Sequence, residues 1–365
     1  MNEVKSQTSI YSDKKLMAAS VIVLLLFLAG LLKNQIAGED GLIPFDPQEI
    51  AESSKAFSKP GTVLHNSEEG SSRTHLLGSD QFGRDVAARL IHGTGIALQV
   101  GLISSLISLI IALILGGLSG YYGDHKHRIN FAQLVGFFLF MVIVHHTAHE
   151  SAYFVDKTDS LKWSIGCYFL VSLGGWLLMS LTLKLLSYAP IRQLTVRWDT
   201  IVMKTLEIFR SIPRLFLLLA FFAIIAQPTV SAVIIIIGLI RWPTLTRLIR
   251  AEVLKTKQET YVANAQLLGM SDLMIYIKHI LPNIYQPILI LTALNIGTAI
   301  LIESSLSFLH IGLPLSEVSW GRMLGDARQY FPAWWMALGP GLLIFLSILA
   351  FNTLADRLNY HLKSR

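Results

Sequence analysis

The sequence predicts an all-α polytopic membrane protein, and three observations carry that prediction. Of 365 residues, 53% are hydrophobic and only 15% charged, with mean hydropathy +0.54; soluble domains run about 45–50% apolar and roughly 25% charged. Apolar runs free of charge recur at about the 20-residue length that a bilayer requires. Lys and Arg fall mainly between alternate runs, the asymmetry of a chain whose cytoplasmic loops hold positive charge. A soluble enzyme, a nucleic-acid-binding domain and a disordered chain are thereby excluded as main readings. The net charge of +6 and the pI near 9.3 reflect topology, with no nucleic acid implied. The single cysteine, Cys167, lies in an apolar run and can form no intramolecular disulfide.

The first run, Leu16 to Leu32, is bounded by Lys15 and Lys33. Its core exceeds a usual signal-peptide h-region and no clear A-x-A site follows, so it reads as an uncleaved span in a first segment, 1–33. Residues 34–89 carry nine acids and Pro44, Pro47 and Pro60, and read as an extracytoplasmic loop ending in a short helix. The second span lies within 90–123, where Gly116 and Gly120 give a small-xxx-small spacing suited to close helix packing. Residues 124–195 hold two apolar runs, Ile129 to Val144 and Trp163 to Leu183, and read as a two-helix hairpin. The core, 196–365, supplies spans at Ile201 to Ala226, Val230 to Ile240 continuing towards Arg247 and Arg250, Ile284 to Ile302 and Ala333 to Ala355, for a total of eight. With the N-terminus inside, twenty of the thirty basic residues fall on the cytoplasmic side, and both termini are cytoplasmic.

The segment at about 251–283 lies between spans on that same side. Tyr261, Val262, Ala265 and Leu268 sit at helical spacing, and Gly269 ends the helix as a residue that accepts positive φ. Ser271 is placed to cap a second helix whose apolar face is Leu273, Met274, Ile277, Ile280 and Leu281, stopped by Pro282. Two short helices joined at a glycine read either as a docking element, able to lay a face into a groove on a partner, or as a surface pair packed on the membrane.

This stretch resembles the coupling loop of ABC importer permeases, roughly E-A-A, three residues, G, then I and L-P. Ala263, Asn264 and Ala265 stand in the triplet, Gly269 at the glycine, Ile275 at the isoleucine, and Leu281 with Pro282 at the end. The usual Glu is here Ala263 and the middle Ala is Asn264. Further stretches resemble the second permease of the dipeptide, oligopeptide and nickel importers: 75–86 (HLLGSDQFGRDV), 120–123 (GYYG), 303–309 (ESSLSFL) with Trp320-Gly321, and 349–352 (LAFN) with Asp356. His310 stands where that family usually has glycine. The resemblance implies a type I ABC importer transmembrane fold of six core helices, to which 124–195 adds the inserted hairpin. It further implies a bacterial inner-membrane subunit for di- or oligopeptides, with nickel or another small solute as the alternative. Its expected partners are a homologous permease, two ATPase subunits, an extracytoplasmic solute-binding protein and membrane lipid.

No glycine is followed by lysine, so the chain has no phosphate-binding P-loop; ATP and Mg²⁺ are expected on the partner ATPases and no cofactor on this chain. His145, His146 and His149 cluster beside Glu150, but without H-E-x-x-H spacing or a third ligand they read as interfacial histidines. Glu207, Arg210 and Arg214 read as a cytoplasmic helix extension, with a pore-lining role as the alternative, Glu207 and Arg210 being spaced to pair. Glu303 either lines the passage or caps a helix facing solvent. No nucleophile–base arrangement or carboxylate pair points to catalysis. An ion-coupled secondary transporter, the rival from another class, needs mid-span ionisable residues that are few here.

Overall fold

The computed structural model describes residues 13–38, 41–50, 55–65, 72–124, 128–130, 193–195, 197–225 and 229–363. Cys167, the cluster His145, His146 and His149, and the two apolar runs of the expected hairpin lie outside these residues, apart from Ile129 and Asn130 at the start of the first run. The chain divides into two compact units, Met1–Tyr121 with Met203–Arg365, and Tyr122–Val202.

The larger unit is a helical bundle. Helix α1 (Lys14–Leu31) opens on Asp13, whose Oδ1 accepts the amides of Lys15 (3.0 Å) and Leu16 (3.3 Å). It is apolar all round and buries only Leu16, Ala19 and Leu26, as a helix that faces lipid does. After a single turn, α2 (Lys33–Ile36), and the strands β1 (Thr62–His65) and β2 (Ser72–His75), paired antiparallel, comes α3 (Val86–Gly117). Its first residue follows Asp85 directly, so the expected separate short helix is the start of the span itself. α3 is about 48 Å long by the α-helical rise and continues as a π-turn, Leu118–Tyr122.

The span expected at 201–226 is not one helix. It is α4 (Trp198–Ser211) and α5 (Arg214–Ile224), separated at Ile212-Pro213. Pro213 brings no N–H and its ring disfavours helical backbone at Ile212, so the helix must end and restart. Helix α6 (Val230–Thr256) begins on Thr229, whose Oγ1 accepts the Ala232 amide at 3.2 Å, and runs well beyond the expected apolar stretch. Three short pieces follow: α7 (Thr260–Leu267), α8 (Asp272–Ile275) and a π-turn (Tyr276–Ile280) leading into a 3₁₀ turn (Leu281–Asn283). Helix α9 (Tyr285–Phe308), a short helix α10 (Trp320–Ala327) within the expected Gly, Pro and Trp loop, and α11 (Trp335–Lys363) complete the unit. Among the described residues five helices are long and apolar enough to cross a membrane: α1, α3 with its π-turn, α6, α9 and α11.

Helix α3 is central. Its Gly116 lies against the Thr246 carbonyl and Ile249, and Gly120 against Val253 and the Arg250 carbonyl. A Cβ at Gly116 would stand 2.9 Å from the Thr246 oxygen, so the small-xxx-small pair sets how closely α3 and α6 approach. One core gathers Val86, Leu90, Ile300, Trp320, Trp335, Met336 and Phe351; another joins Val100, Phe222, Ile237, Ala299 and Leu306. Arg357 and His361 of α11 reach Asp13 Oδ2 at 3.4 and 3.3 Å, which puts the start of α1 and the end of α11 on the same side.

In the smaller unit, β3 (Arg128–Asn130) pairs antiparallel with β4 (Gln193–Thr195), Arg128 opposite Thr195 and Asn130 opposite Gln193. The Asp124 carboxylate accepts the Thr200 amide at 2.9 Å and its hydroxyl at 2.6 Å, holding the first turn of α4.

Candidate functional site

The segment 259–283 folds as a corner whose outer surface exposes Leu267, Leu268, Leu273, Met274 and Ile277. Gly269 has φ +74 and closes α7 in a Schellman arrangement: its amide reaches the Gln266 carbonyl at 3.0 Å and the Met270 amide reaches Ala265 at 3.2 Å. Val262 and Ala265 of α7 are buried. Leu268, placed on the same face by helical spacing, is instead the C-cap and 82% exposed, beside Leu267 at 86%.

The next turns depart further from helical phase. Leu273, Met274 and Ile277 are exposed and Leu281 is half-buried, whereas Ile275 and Ile280 are fully buried. A π-turn places residues five apart on one face, and Ile275 and Ile280 are five apart. The 3.6-residue period therefore assigns the inward face wrongly. Ser271 occupies the cap position, but its side chain makes no capping bond. Of the triplet, Ala263 and Asn264 are exposed and Ala265 faces inward; Pro282 is exposed in the 3₁₀ turn.

Three residues that sequence reasoning left without a role fasten this corner to α3. Tyr121 donates its hydroxyl to Asp272 Oδ1 (2.9 Å), and Lys257 Nζ donates to the Tyr121 carbonyl (2.6 Å). Tyr276 donates to the Leu113 carbonyl (2.8 Å), its ring lying where a Cβ on Gly117 would be. Burial pushes the Tyr276 phenol up to about 12, so it stays a neutral donor at physiological pH. A signal for Tyr121 existed, since it lies in the Gly-Tyr-Tyr-Gly stretch; Tyr276 and Lys257 carry none without the fold.

At the other end of the bundle the motif residues build a braced cap. His75 Nδ1 lies 2.8 Å from Asp85 Oδ2, both side chains fully buried, and Asp85 Oδ1 accepts the Ala88 amide to start α3. Asp80 accepts the amides of Phe82 and Arg84 and the Arg84 guanidinium. Glu303, 1% exposed, accepts hydroxyls from Ser304 (3.3 Å), Ser307 (2.8 Å) and Ser319 (2.7 Å), so it ties α9 to the start of α10. It is a buried clasp, which excludes a cap that faces solvent. Gly321 packs directly on the Ser304 carbonyl, where no Cβ fits. Arg322 donates to the carbonyls of Leu313, Pro314 and Glu317 and so fixes the 309–319 loop.

Between these ends a cleft of about 270 Å³ opens among α5, α6 and α9, lined by Arg214, Leu218, Ile240, Arg241, Thr298, Leu301 and Ser305, among others. Arg214 thus stands apart from Glu207 and Arg210, which are exposed on α4 and form no ion pair with each other. Arg214 and Arg241, both assigned to the cytoplasmic side from the sequence, line this cleft. No group of three or more His, Cys, Asp or Glu able to hold a metal occurs among the described residues.

Residues 185–365 match the family model described as binding-protein-dependent transport system inner membrane component. A dipeptide transport system permease protein of Alkalihalophilus pseudofirmus is 28% identical over 311 residues, covering 85% of this chain and 77% of that protein. A di/tripeptide transport system permease protein of Pseudomonas aeruginosa is 28% identical over 291 residues, covering 80% and 72%. A glutathione transport system permease protein of Shigella flexneri is 36% identical over 162 residues, covering 44% and 53%.

Proposed function

We propose, from the premise that this chain belongs to the ABC importer permeases of the peptide family, that it is one half of the translocation path of an ATP-driven peptide importer. ATP hydrolysis takes place on partner ATPases that dock on 259–283, a homologous permease completes the path, and a solute-binding protein delivers the peptide to the cap of residues 41–85 and 309–334. Both termini and the docking corner face the cytoplasm. The observation that carries the reading is the apolar outer surface of the corner, where Leu267, Leu268 and Leu273 stand exposed at 86, 82 and 63% on turns anchored from behind by Ile275, Ile280 and Tyr276.

Coupling then follows from the anchors. A shift of the docked corner pulls on α3 through Tyr276 and Tyr121, and α3 packs on both α6 and α1. Only contacts that differ between the ATP-bound and ATP-free states can drive such a change, and an apolar patch seated in one state and shifted in the other supplies them. In proteoliposomes, peptide uptake should require ATP and the partner ATPases. Leu268→Asp should abolish co-purification of the ATPases while leaving membrane insertion intact, because it buries a carboxylate in an apolar contact. Gly269→Pro, which cannot adopt the positive φ, should do the same. Uptake driven by an ion gradient without any ATPase, or undiminished co-purification, overturns the reading.

A further inference from the structure

The cleft among α5, α6 and α9 carries positive charge that no acidic group among the described residues neutralises. Arg241 Nε donates to Asn295 Oδ1 at 2.7 Å, which leaves both terminal nitrogens of its guanidinium free to bind. Arg214 donates one terminal nitrogen to Thr244 Oγ1 at 3.2 Å. No carboxylate pairs with either arginine among the described residues, and the two cations repel one another. Asn295, 3% exposed, keeps its Nδ2 without an acceptor. Two guanidinium groups therefore line the cleft with no acceptor of matching charge among the described residues.

Position sharpens the point. Arg241 follows eleven residues of α6 that carry no charge, about 16 Å along the helix, and is half-buried. A cation on an apolar helix is costly and is kept where it meets a partner. Around the arginines the wall is apolar: Leu215, Leu218, Ile240 and Leu301.

We propose that this cleft is a carboxylate subsite of the translocation path, in which Arg241, backed by Arg214, receives the free C-terminal carboxylate of the transported peptide. The proposal rests on the peptide-importer reading above. A peptide at neutral pH carries that carboxylate ionised, and guanidinium presents two parallel N–H donors that match it. Asn295 holds the Arg241 side chain at Nε, so the terminal nitrogens are aimed before the ligand arrives. The apolar wall keeps water from competing and accepts side chains without regard to sequence.

The test compares dialanine with dialanine amide in proteoliposomes that hold the complete importer, for wild type, Arg241→Gln and Arg241→Lys. Each variant is scored against wild type for each probe, so preferences of the binding protein cancel. Arg241→Gln should reduce dialanine uptake at least fivefold further than uptake of the amide, and Arg241→Lys should recover most of that difference. Equal loss for both probes would mean that Arg241 neutralises a carboxylate of a neighbouring subunit or only supports the fold, and overturns the subsite. No loss for either probe overturns it as well. If wild type takes up neither probe with ATP, the peptide reading itself fails and the subsite falls with it.

Discussion

His310 stands in the left-handed region, φ +60, at the residue just past the C-cap of α9. Its amide reaches Ser307 (3.0 Å) and the Ile311 amide reaches Leu306 (2.9 Å), the same Schellman closure that Gly269 makes on α7. A side chain here costs about 1 kcal/mol, which is the physical reason glycine is usual at this position. The imidazole recovers part of it: Nε2 lies 3.2 Å from Asp326 Oδ1, and the ring packs over Gly325. His310→Gly is therefore expected to raise the unfolding midpoint in detergent slightly, by no more than about 1 kcal/mol, and His310→Ala to lower it, since alanine keeps the strain and loses the ring. Tyr276 gives a prediction of the opposite kind. Its folded pKa is raised above the ordinary tyrosine value, so its contribution is complete below about pH 10 and lost as pH rises towards 12. Stability in detergent should fall across that window in wild type, and Tyr276→Phe should be less stable already at neutral pH and lack that step.

At the scale of elements, the clasp on Glu303 decides how α10 sits on α9. Ser304 and Ser307 are visible from spacing alone, one and four residues along the helix, but Ser319 is sixteen residues away and meets the carboxylate only in the folded chain. Sequence could therefore flag Glu303 without choosing its role. Glu303→Ala leaves three hydroxyls without their acceptor and should lower stability by about 2–3 kcal/mol. Gly321→Ala should be worse: its Cβ meets backbone, which cannot swing aside, so little monodisperse protein is expected on size-exclusion chromatography. The long apolar helices α1, α9 and α11 were legible because burial in a bilayer needs only uninterrupted apolar length. The break between α4 and α5 was written in Pro213 but masked by the apolar residues on either side. The faces of 268–281 were not legible, because a π-turn shifts the period that face assignment assumes.

Across the whole molecule, the family, the helical membrane class and the order of the core helices could be read from the chain. The charged cleft could not, since Arg214, Arg241 and Asn295 come from three helices and meet only by tertiary packing. The pairing of Asn130 with Gln193 brings the two ends of residues 131–192 side by side. Replacing those residues by Asn-Gly, a turn suited to a two-residue hairpin, is expected to leave a chain that still inserts. It would lack Cys167, so Leu268→Cys becomes its single thiol, and an impermeant maleimide should label it from the cytoplasmic face only. Labelling from the opposite face would show that 131–192 sets the topology of everything after it.

The same strand pair bears on tolerance to insertion. Because Arg128–Asn130 and Gln193–Thr195 are already held in register, a change in the length of chain between them asks for no change in either strand. Linkers of different length placed there are therefore expected to keep the Asp124 carboxylate on Thr200, and with it the start of α4.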